Sequence, residues 1–364
     1  MQLTDELTDR PSRTDLQTVL TRLEELGIAQ SDLGKAAKSL NQKLEVESET
    51  IGKHLEELRS LVSSPEAAIN KELVLQSLYL PILNERYGDV AEAEPTTFEW
   101  IFKTTTFCEW LKSGSGVFHI SGKPGAGKST LMKFLCNHTR SEELLKTWAG
   151  SNMLVVAKFF FWKFGVNNQQ KNLFGLRRHL LYEVLKSIPQ LIQKVLGKFW
   201  NPPVFAKTGR LPDIDMKDIQ DAFKLLVTDS TLFNGLSQDL RACFFIDGLD
   251  EFDDSGTNPT HGRLVKNILE WTQASSSRIK ICVSSRELPP FTDMLDPQQR
   301  LRLHTLTKMD IRRLVESRLL RHPRFGVLQG LDEWRCTQLI TRLTKRAEGV
   351  FLWVALVLKQ IERG

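Results

Sequence analysis

A glycine-rich octapeptide that ends in lysine and serine has the spacing of a loop that binds phosphate. It reads Gly122, Lys123, Pro124, Gly125, Ala126, Gly127, Lys128 and Ser129, followed by Thr130. Glycines let the backbone wrap a phosphate with its amide hydrogens pointing inward, and a following helix adds the positive end of its dipole. Lys128 would reach the β and γ phosphates, the Ser129 hydroxyl would bind Mg²⁺, and Thr130 would contact the α phosphate. An apolar run precedes the loop and a helical run follows it, so the pattern predicts a nucleoside triphosphate site.

A second chemical feature is the apolar run Ala242–Asp247, which ends in a carboxylate and leads into Asp250 and Glu251. Open parallel sheets place their ligand chemistry at the carboxyl ends of strands. Asp247 would hold Mg²⁺ through its water shell, because this ion takes few protein oxygens and keeps its waters. Either Asp250 or Glu251 would polarise the water that attacks the γ phosphate, and Glu251 is our choice of general base.

A third apolar run, Ile279–Ser284, leads into Ser285, Arg286 and Glu287. At the same edge of the sheet Arg286 would sense the γ phosphate, because its planar and permanently charged guanidinium pairs with phosphate oxygens. An exposed arginine at a strand end is the competing interpretation. The residues predicted to act on the terminal phosphate are Lys128, Asp247, Asp250, Glu251 and Arg286.

The elements that must position these residues form a pattern of short apolar runs separated by helical segments. This pattern predicts an α/β fold of the P-loop NTPase type, a parallel sheet of about five strands with helices on both faces. The five runs are Val117–Ser121, Met153–Trp162, Ala242–Asp247, Ile279–Ser284 and Arg300–His304. Because the second run intervenes between the phosphate loop and Asp247, we expect it to wedge between their strands, as in the additional-strand division of P-loop proteins.

Helical segments are expected on either side of this sheet. Residues 1–64 form a helical or coiled-coil region, whose leucine stripe between Leu16 and Val62 packs within its own domain or binds a partner. Residues 65–112 are a helical linker, 113–305 the nucleotide domain, and 306–364 a C-terminal helical subdomain. The apolar run Val350–Leu358 is about half of the roughly 20 residues that a membrane-spanning helix needs, so it predicts a buried helix.

Composition and charge narrow the function classes. With 41% hydrophobic and 26% charged residues, the 364-residue chain predicts a soluble globular protein. Its net charge of +5 is spread along the chain, which argues against a nucleic-acid surface. Five scattered cysteines suggest neither disulfides nor zinc, and the polar N-terminus excludes a secretory signal. We therefore expect a cytoplasmic protein, without a membrane-spanning segment, that binds nucleotide and protein partners or self-associates.

The tetrapeptide Thr307–Asp310 has two interpretations. It matches the [NT]-K-x-D pattern that reads guanine, and it also matches a helix start with Thr307 as N-cap. The amphipathic run Ile311–Leu320 follows directly, which favours the cap. The expected nucleotide is therefore ATP, with GTP as the alternative.

Together these motifs resemble the NACHT group of STAND signal-transduction NTPases, particularly the fungal NOD-like receptors. The resembling pieces are Phe118–Thr130, Phe159–Trp162, Phe244–Glu251, Ser284–Glu287 and Ala347–Trp353. The stretch Leu75–Phe102 looks like the segment that precedes this domain in fungal members, labelled nephrocystin-3-like N-terminal. The resemblance implies a nucleotide-dependent molecular switch with slow NTP hydrolysis, serving non-self recognition or programmed cell death. Because the repeats of the family's sensor part are missing, we expect a fragment or a reduced member.

Two other functions are compatible with the sequence. In an interaction scaffold the nucleotide would be a structural ligand, and the helices between Leu16 and Val62 would bind a partner. A small-molecule or nucleotide kinase fits less well, because Glu251 suits water as the phosphate acceptor.

Overall fold

The computed structural model of this chain describes residues 17–18, 21, 65–200, 211–236, 238–253 and 261–361. The chain divides into two compact units, Met1–Ala68 and Ile69–Gly364, and every strand described below belongs to the second. Almost all of the leucine stripe predicted between Leu16 and Val62 lies outside the described residues, so its role stays a prediction.

A parallel sheet of five strands forms the centre of the second unit. The strands are β1 (Gly116–Ser121), β2 (Met153–Phe160), β3 (Leu240–Asp247), β4 (Ile279–Ser285) and β5 (Arg300–Arg302). β3 and β4 are covered on both faces, which explains why their sequences are apolar runs without alternation. The predicted α/β fold with a five-stranded parallel sheet is thereby confirmed.

The strand order is β2-β3-β4-β1-β5. The prediction that the run beginning at Met153 wedges between the strands of the phosphate loop and Asp247 is wrong, because β2 pairs with β3 and forms an edge. β4 takes the wedged position, and its Cys282 lies between Phe118 of β1 and Phe245 of β3. A crossover connection can place the next parallel strand on either side of the last, so order along the chain does not fix order in the sheet.

Helices cover both faces of this sheet. They are α1 (Pro65–Leu78), α2 (Glu85–Asp89), α3 (Thr105–Lys112), α4 (Lys128–Asn137), α5 (Thr139–Ala149), α6 (Leu173–Ser187), α7 (Leu191–Val195), α8 (Met216–Thr228), α9 (His261–Ala274) and α10 (Pro289–Met294). Successive residues of β3 point to opposite faces. Phe244 joins the apolar cluster formed with α6, α8 and α9, and Phe245 joins the cluster formed with α3, α4 and α5.

Proline sets two of the helix ends. α6 ends at Ser187 and α7 begins only at Leu191, because Pro189 has no amide hydrogen and pushes the preceding residue out of helical conformation. The stretch Leu176–Leu196 is therefore divided between two helices. Likewise α1 stops at Leu78, and Pro81 starts a separate 3-10 turn that ends at Asn84.

Five further helices follow the sheet: α11 (Leu303–Leu306), α12 (Lys308–Leu320), α13 (Pro323–Leu331), α14 (Glu333–Arg346) and α15 (Phe351–Ile361). The prediction of a buried helix near Val350–Leu358 is wrong in part. Val354 and Leu358 are buried in a cluster with α12 and α14, whereas Leu352 and Leu356 are each 57% exposed. Within the described ranges no helix is long and apolar enough to cross a membrane.

Candidate functional site

The carboxyl ends of β1, β3 and β4 meet at one edge of the sheet, and a cavity of about 450 Å³ opens there. The predicted site residues that line it are Pro124, Gly125, Gly127, Lys128, Ser129, Thr130, Asp250, Glu251 and Arg286. Asp247 lies directly behind them, buried at the end of β3. The structure thus brings the glycine-rich loop, the acidic turn and the strand-end arginine to one place.

The glycine-rich loop turns tightly because two of its glycines adopt left-handed backbone conformations. Gly125 has a φ of 71° and Gly127 a φ of 88°, values that favour glycine. A Cβ on Gly125 would lie 2.8 Å from the Cβ of Leu352, so a side chain does not fit there. α4 begins at Lys128, and the amide hydrogens of its first turn are therefore available to an anion in the loop.

Lys128 lies against the inner side of this loop. Its ammonium donates to the carbonyls of Gly122 at 2.9 Å and Lys123 at 3.1 Å. Burial lowers the pKa of Lys128, and the nearby carboxylates of Asp250 and Asp247 oppose that shift. The loop therefore carries a positive charge on its concave side, where a phosphate would lie.

Asp247 is 1% exposed and depends on hydroxyl groups for its hydrogen bonds. Ser284 on β4 donates to Asp247 Oδ1 at 2.5 Å and accepts from the amide of Gly248 at 2.9 Å. Burial raises the pKa of Asp247, and hydrogen bonds from Ser284 and Ser129 counteract this shift. The side-chain oxygens of Ser129 and Asp247 thus lie together. This pair fits Mg²⁺, because that ion uses one or two protein oxygens as ligands and keeps its waters.

Ser284 was not predicted as a partner of Asp247. The available signal was the first of two serines at the end of β4, one position beyond the pair formed by Val283 and Ile246. That signal has meaning only once β3 and β4 are known to be neighbours.

Asp250 and Arg286 form one unit at the rim of the cavity. The Arg286 Nε lies 2.8 Å from Asp250 Oδ2, and the Arg286 amide donates to Asp250 Oδ1 at 3.0 Å. The Asp250 side chain is only 7% exposed. Both of its oxygens contact Arg286 and orient it. Asp250 acts here as a positioning residue for the arginine.

Glu251 lies next to Asp250 and lines the cavity. Its Oε2 accepts from the backbone amide of Lys163 at 3.2 Å, and its Oε1 lies 4.0 Å from Nη2 of Arg86. Arg86 belongs to α2, far upstream of the glycine-rich loop, and it also lines the cavity. The sequence contained no motif that pointed to Arg86.

The C-terminal helices supply an apolar wall to the same cavity, formed by Leu314, Phe351, Leu352 and Ala355. They are also tied to the glycine-rich loop. The amide of Leu352 donates to the carbonyl of Gly125 at 3.1 Å, and Lys123 pairs with Glu348 at 3.0 Å. A change in the backbone of the loop would therefore reach α15 through direct contacts.

The pattern at Thr307–Asp310 has a structural role. Asp310 is fully buried, and its Oδ2 accepts from the amide of Phe98 at 3.1 Å and from the indole of Trp100 at 2.6 Å. A helix does start after Thr307, as predicted, but the Thr307 side chain does not cap it and donates instead to the carbonyl of Gly349 at 3.3 Å. Asp310 therefore ties α12 to the segment that precedes β1.

The parallel sheet and the glycine-rich loop at its carboxyl edge define a protein of the P-loop nucleotide-binding class. The family described as "Nephrocystin 3, N-terminal" matches residues 96–286, and the chain belongs to that family. None of the curated proteins matches the chain. Among solved structures, Cdc6p from Pyrobaculum aerophilum matches with 13% identity and a TM-score of 0.34, covering 62% of this chain and 50% of that chain. The matched region thus spans half the length of Cdc6p.

Proposed function

We propose that this chain is a nucleotide-dependent signalling switch that binds ATP with Mg²⁺ and hydrolyses it slowly. The observation that carries the proposal is the convergence of Lys128, Ser129 and Asp247 at one cavity. Lys128 would hold the β and γ phosphates, and Ser129 and Asp247 would hold the Mg²⁺ ion. When bound, Mg²⁺ would neutralise part of the negative charge of the phosphates.

The remaining polar residues of the cavity suit a hydrolytic step. Glu251 lies at the cavity, and its carboxylate is a group that can accept a proton from an attacking water. Asp250 aims the Arg286 guanidinium, which would stabilise the charge that develops on the γ phosphate. The assignment of these roles to Asp250, Glu251 and Arg286 is part of the proposal.

The proposal favours ATP over GTP. Asp310, the residue of the [NT]-K-x-D pattern that would read guanine, is buried and hydrogen-bonded to Phe98 and Trp100. The guanine-reading interpretation of that pattern needs a free carboxylate at Asp310, and both of these groups donate to that carboxylate. We therefore assign no guanine-specific contact to this site.

Direct contacts between the loop and the C-terminal helices support a switch. Leu352 and Glu348 contact the loop at Gly125 and Lys123, so nucleotide in the loop would bias the position of these helices. The resemblance to fungal NOD-like receptors points to signalling in non-self recognition or programmed cell death as the biological role.

The test starts with nucleotide extracted from the purified chain and identified by mass spectrometry, followed by titration with fluorescent ATP in Mg²⁺. Lys128→Ala should weaken ATP binding about 10- to 100-fold, because it removes charge-assisted hydrogen bonds to phosphate. Lys146→Ala is the matched control, since Lys146 pairs with Glu142 on the exposed face of α5. If the wild-type chain binds neither ATP nor GTP with Mg²⁺, the proposal fails. A scaffold would keep its partner after Lys128→Ala, whereas a switch would lose nucleotide-dependent assembly.

A further inference from the structure

Arg86 reaches the nucleotide cavity from the part of the chain that precedes β1. It is the second residue of α2 and lines the cavity together with Lys128, Ser129 and Arg286. Its neighbour Tyr87 fixes the position of α2. The Tyr87 ring packs edge-on against Phe160 at 5.1 Å, and its hydroxyl donates to Asn137 Oδ1 at 2.7 Å.

The guanidinium of Arg86 is only loosely engaged by protein groups. Its Nη2 lies 4.0 Å from Glu251 Oε1, and its Nε is buried without a hydrogen-bond partner among the described residues. A buried N–H group without a partner costs free energy that a ligand oxygen would recover. Arg286 differs, because its side chain and its amide both bind Asp250 at 3.0 Å or less.

The other two cations of the cavity, Lys128 and Arg286, are more firmly bound by protein groups than Arg86 is. Lys128 is held by two loop carbonyls and Arg286 by Asp250, so the donors of Arg86 are the least committed of these three cations. A planar guanidinium binds phosphate oxygens through two parallel hydrogen bonds. Glu251 at 4.0 Å is too distant for such a bond, and a triphosphate in the cavity would offer better acceptors.

On the basis of the proposed function, we propose that Arg86 reads the terminal phosphate of the bound nucleotide. With a triphosphate bound, its guanidinium donates to γ-phosphate oxygens and leaves Glu251 Oε1 free to face the attacking water. With a diphosphate bound, Arg86 stays beside Glu251. The segment that precedes β1 thereby distinguishes the two nucleotide states, in addition to Arg286 on β4.

The experiment compares Arg86→Ala and Arg86→Lys with wild type in the full chain. Equilibrium affinities for ADP and for the non-hydrolysable triphosphate AMP-PNP are measured by calorimetry in Mg²⁺. Arg86→Ala should lose about 10- to 100-fold in AMP-PNP affinity and change ADP affinity by no more than about threefold. Arg86→Lys keeps the charge without the planar fork, so its AMP-PNP affinity should lie between those of wild type and Arg86→Ala. Arg140→Ala is the matched control, because Arg140 pairs with Glu143 and is 56% exposed.

Equal losses for ADP and AMP-PNP, or an unchanged AMP-PNP affinity, would overturn the assignment of Arg86. If Arg86→Ala loses its cooperative thermal transition, Arg86→Lys decides, and an AMP-PNP affinity equal to that of wild type overturns the assignment. A wild-type chain that binds neither nucleotide overturns the proposed function itself. The two failures are therefore distinguishable.

Discussion

Ser284→Ala tests the site most directly, because the Ser284 hydroxyl serves two buried groups at once. It donates to Asp247 Oδ1 at 2.5 Å and accepts from the Gly248 amide at 2.9 Å. A hydrogen bond to a charged group contributes about 1.5–3 kcal/mol, and a buried donor left unpaired costs about 1–3 kcal/mol. We therefore expect Ser284→Ala to lower the free energy of unfolding by about 3–5 kcal/mol.

The loss should also depend on pH. Burial raises the pKa of Asp247, and the bond from Ser284 opposes this shift, so the variant should have a still higher pKa. A carboxyl group whose pKa is higher in the folded than in the unfolded state destabilises the fold at neutral pH. This cost disappears as the pH falls through the folded-state pKa, because the group is then protonated and neutral. The difference in stability between wild type and variant should therefore shrink from neutral toward acidic pH.

Urea unfolding followed by tryptophan fluorescence at several pH values measures both effects. Ser187→Ala is the control, because its hydroxyl bonds to its own helix on an exposed face and should change stability by no more than about 0.5 kcal/mol. A loss below about 1 kcal/mol for Ser284→Ala, or one that is the same at every pH, would refute the role given to Ser284.

Three further predictions concern other parts of the chain. Gly125→Ala should cost about 1–2 kcal/mol of stability and weaken nucleotide binding, because a Cβ at a φ of 71° is strained and would lie 2.8 Å from the Cβ of Leu352. Calorimetry checks both effects against the control Gly197→Ala, whose Cβ would meet nothing within 4 Å. Asp310→Asn should cost about 1–3 kcal/mol in thermal unfolding and leave the ratio of ATP to GTP affinity unchanged; a shifted ratio would show that Asp310 reads the base. Burial lowers the pKa of Lys280 from its usual value of 10.5 to about 8. Between these two values the unfolded chain binds more protons than the folded one, so stability should rise as the pH increases from about 8 to about 10.5. This rise should be absent from the unfolding curves of Lys280→Met.

Local patterns were sufficient for the parts of the site that are built from contiguous residues. The loop Gly122–Ser129 was predictable because its glycines and its lysine act through their own backbone and side chain. β3 and β4 were predictable because strands covered on both faces are continuous apolar runs. The predicted fold class and the convergence of these segments at one edge followed from that.

Contacts between distant segments were not predictable. The position of β2 at the edge of the sheet, the bond from Ser284 to Asp247 and the approach of Arg86 to Glu251 all depend on which elements become neighbours. No local periodicity encodes that choice. The hydrogen-bond partners of Asp310 were not predictable either, because they lie 212 and 210 residues upstream.

The hydrogen bonds of Asp310 determine how the chain can be shortened. A piece limited to residues 113–305 would lack both Asp310 and its donors at Phe98 and Trp100. A longer piece, 113–364, would keep Asp310 beside Arg313, whose Nη1 lies 3.5 Å from Asp310 Oδ1, but lose the two groups that donate to Asp310 Oδ2. The longer piece would therefore contain α12 without its tie to the segment that precedes β1. A shortened chain that contains Asp310 should therefore also contain Phe98 and Trp100.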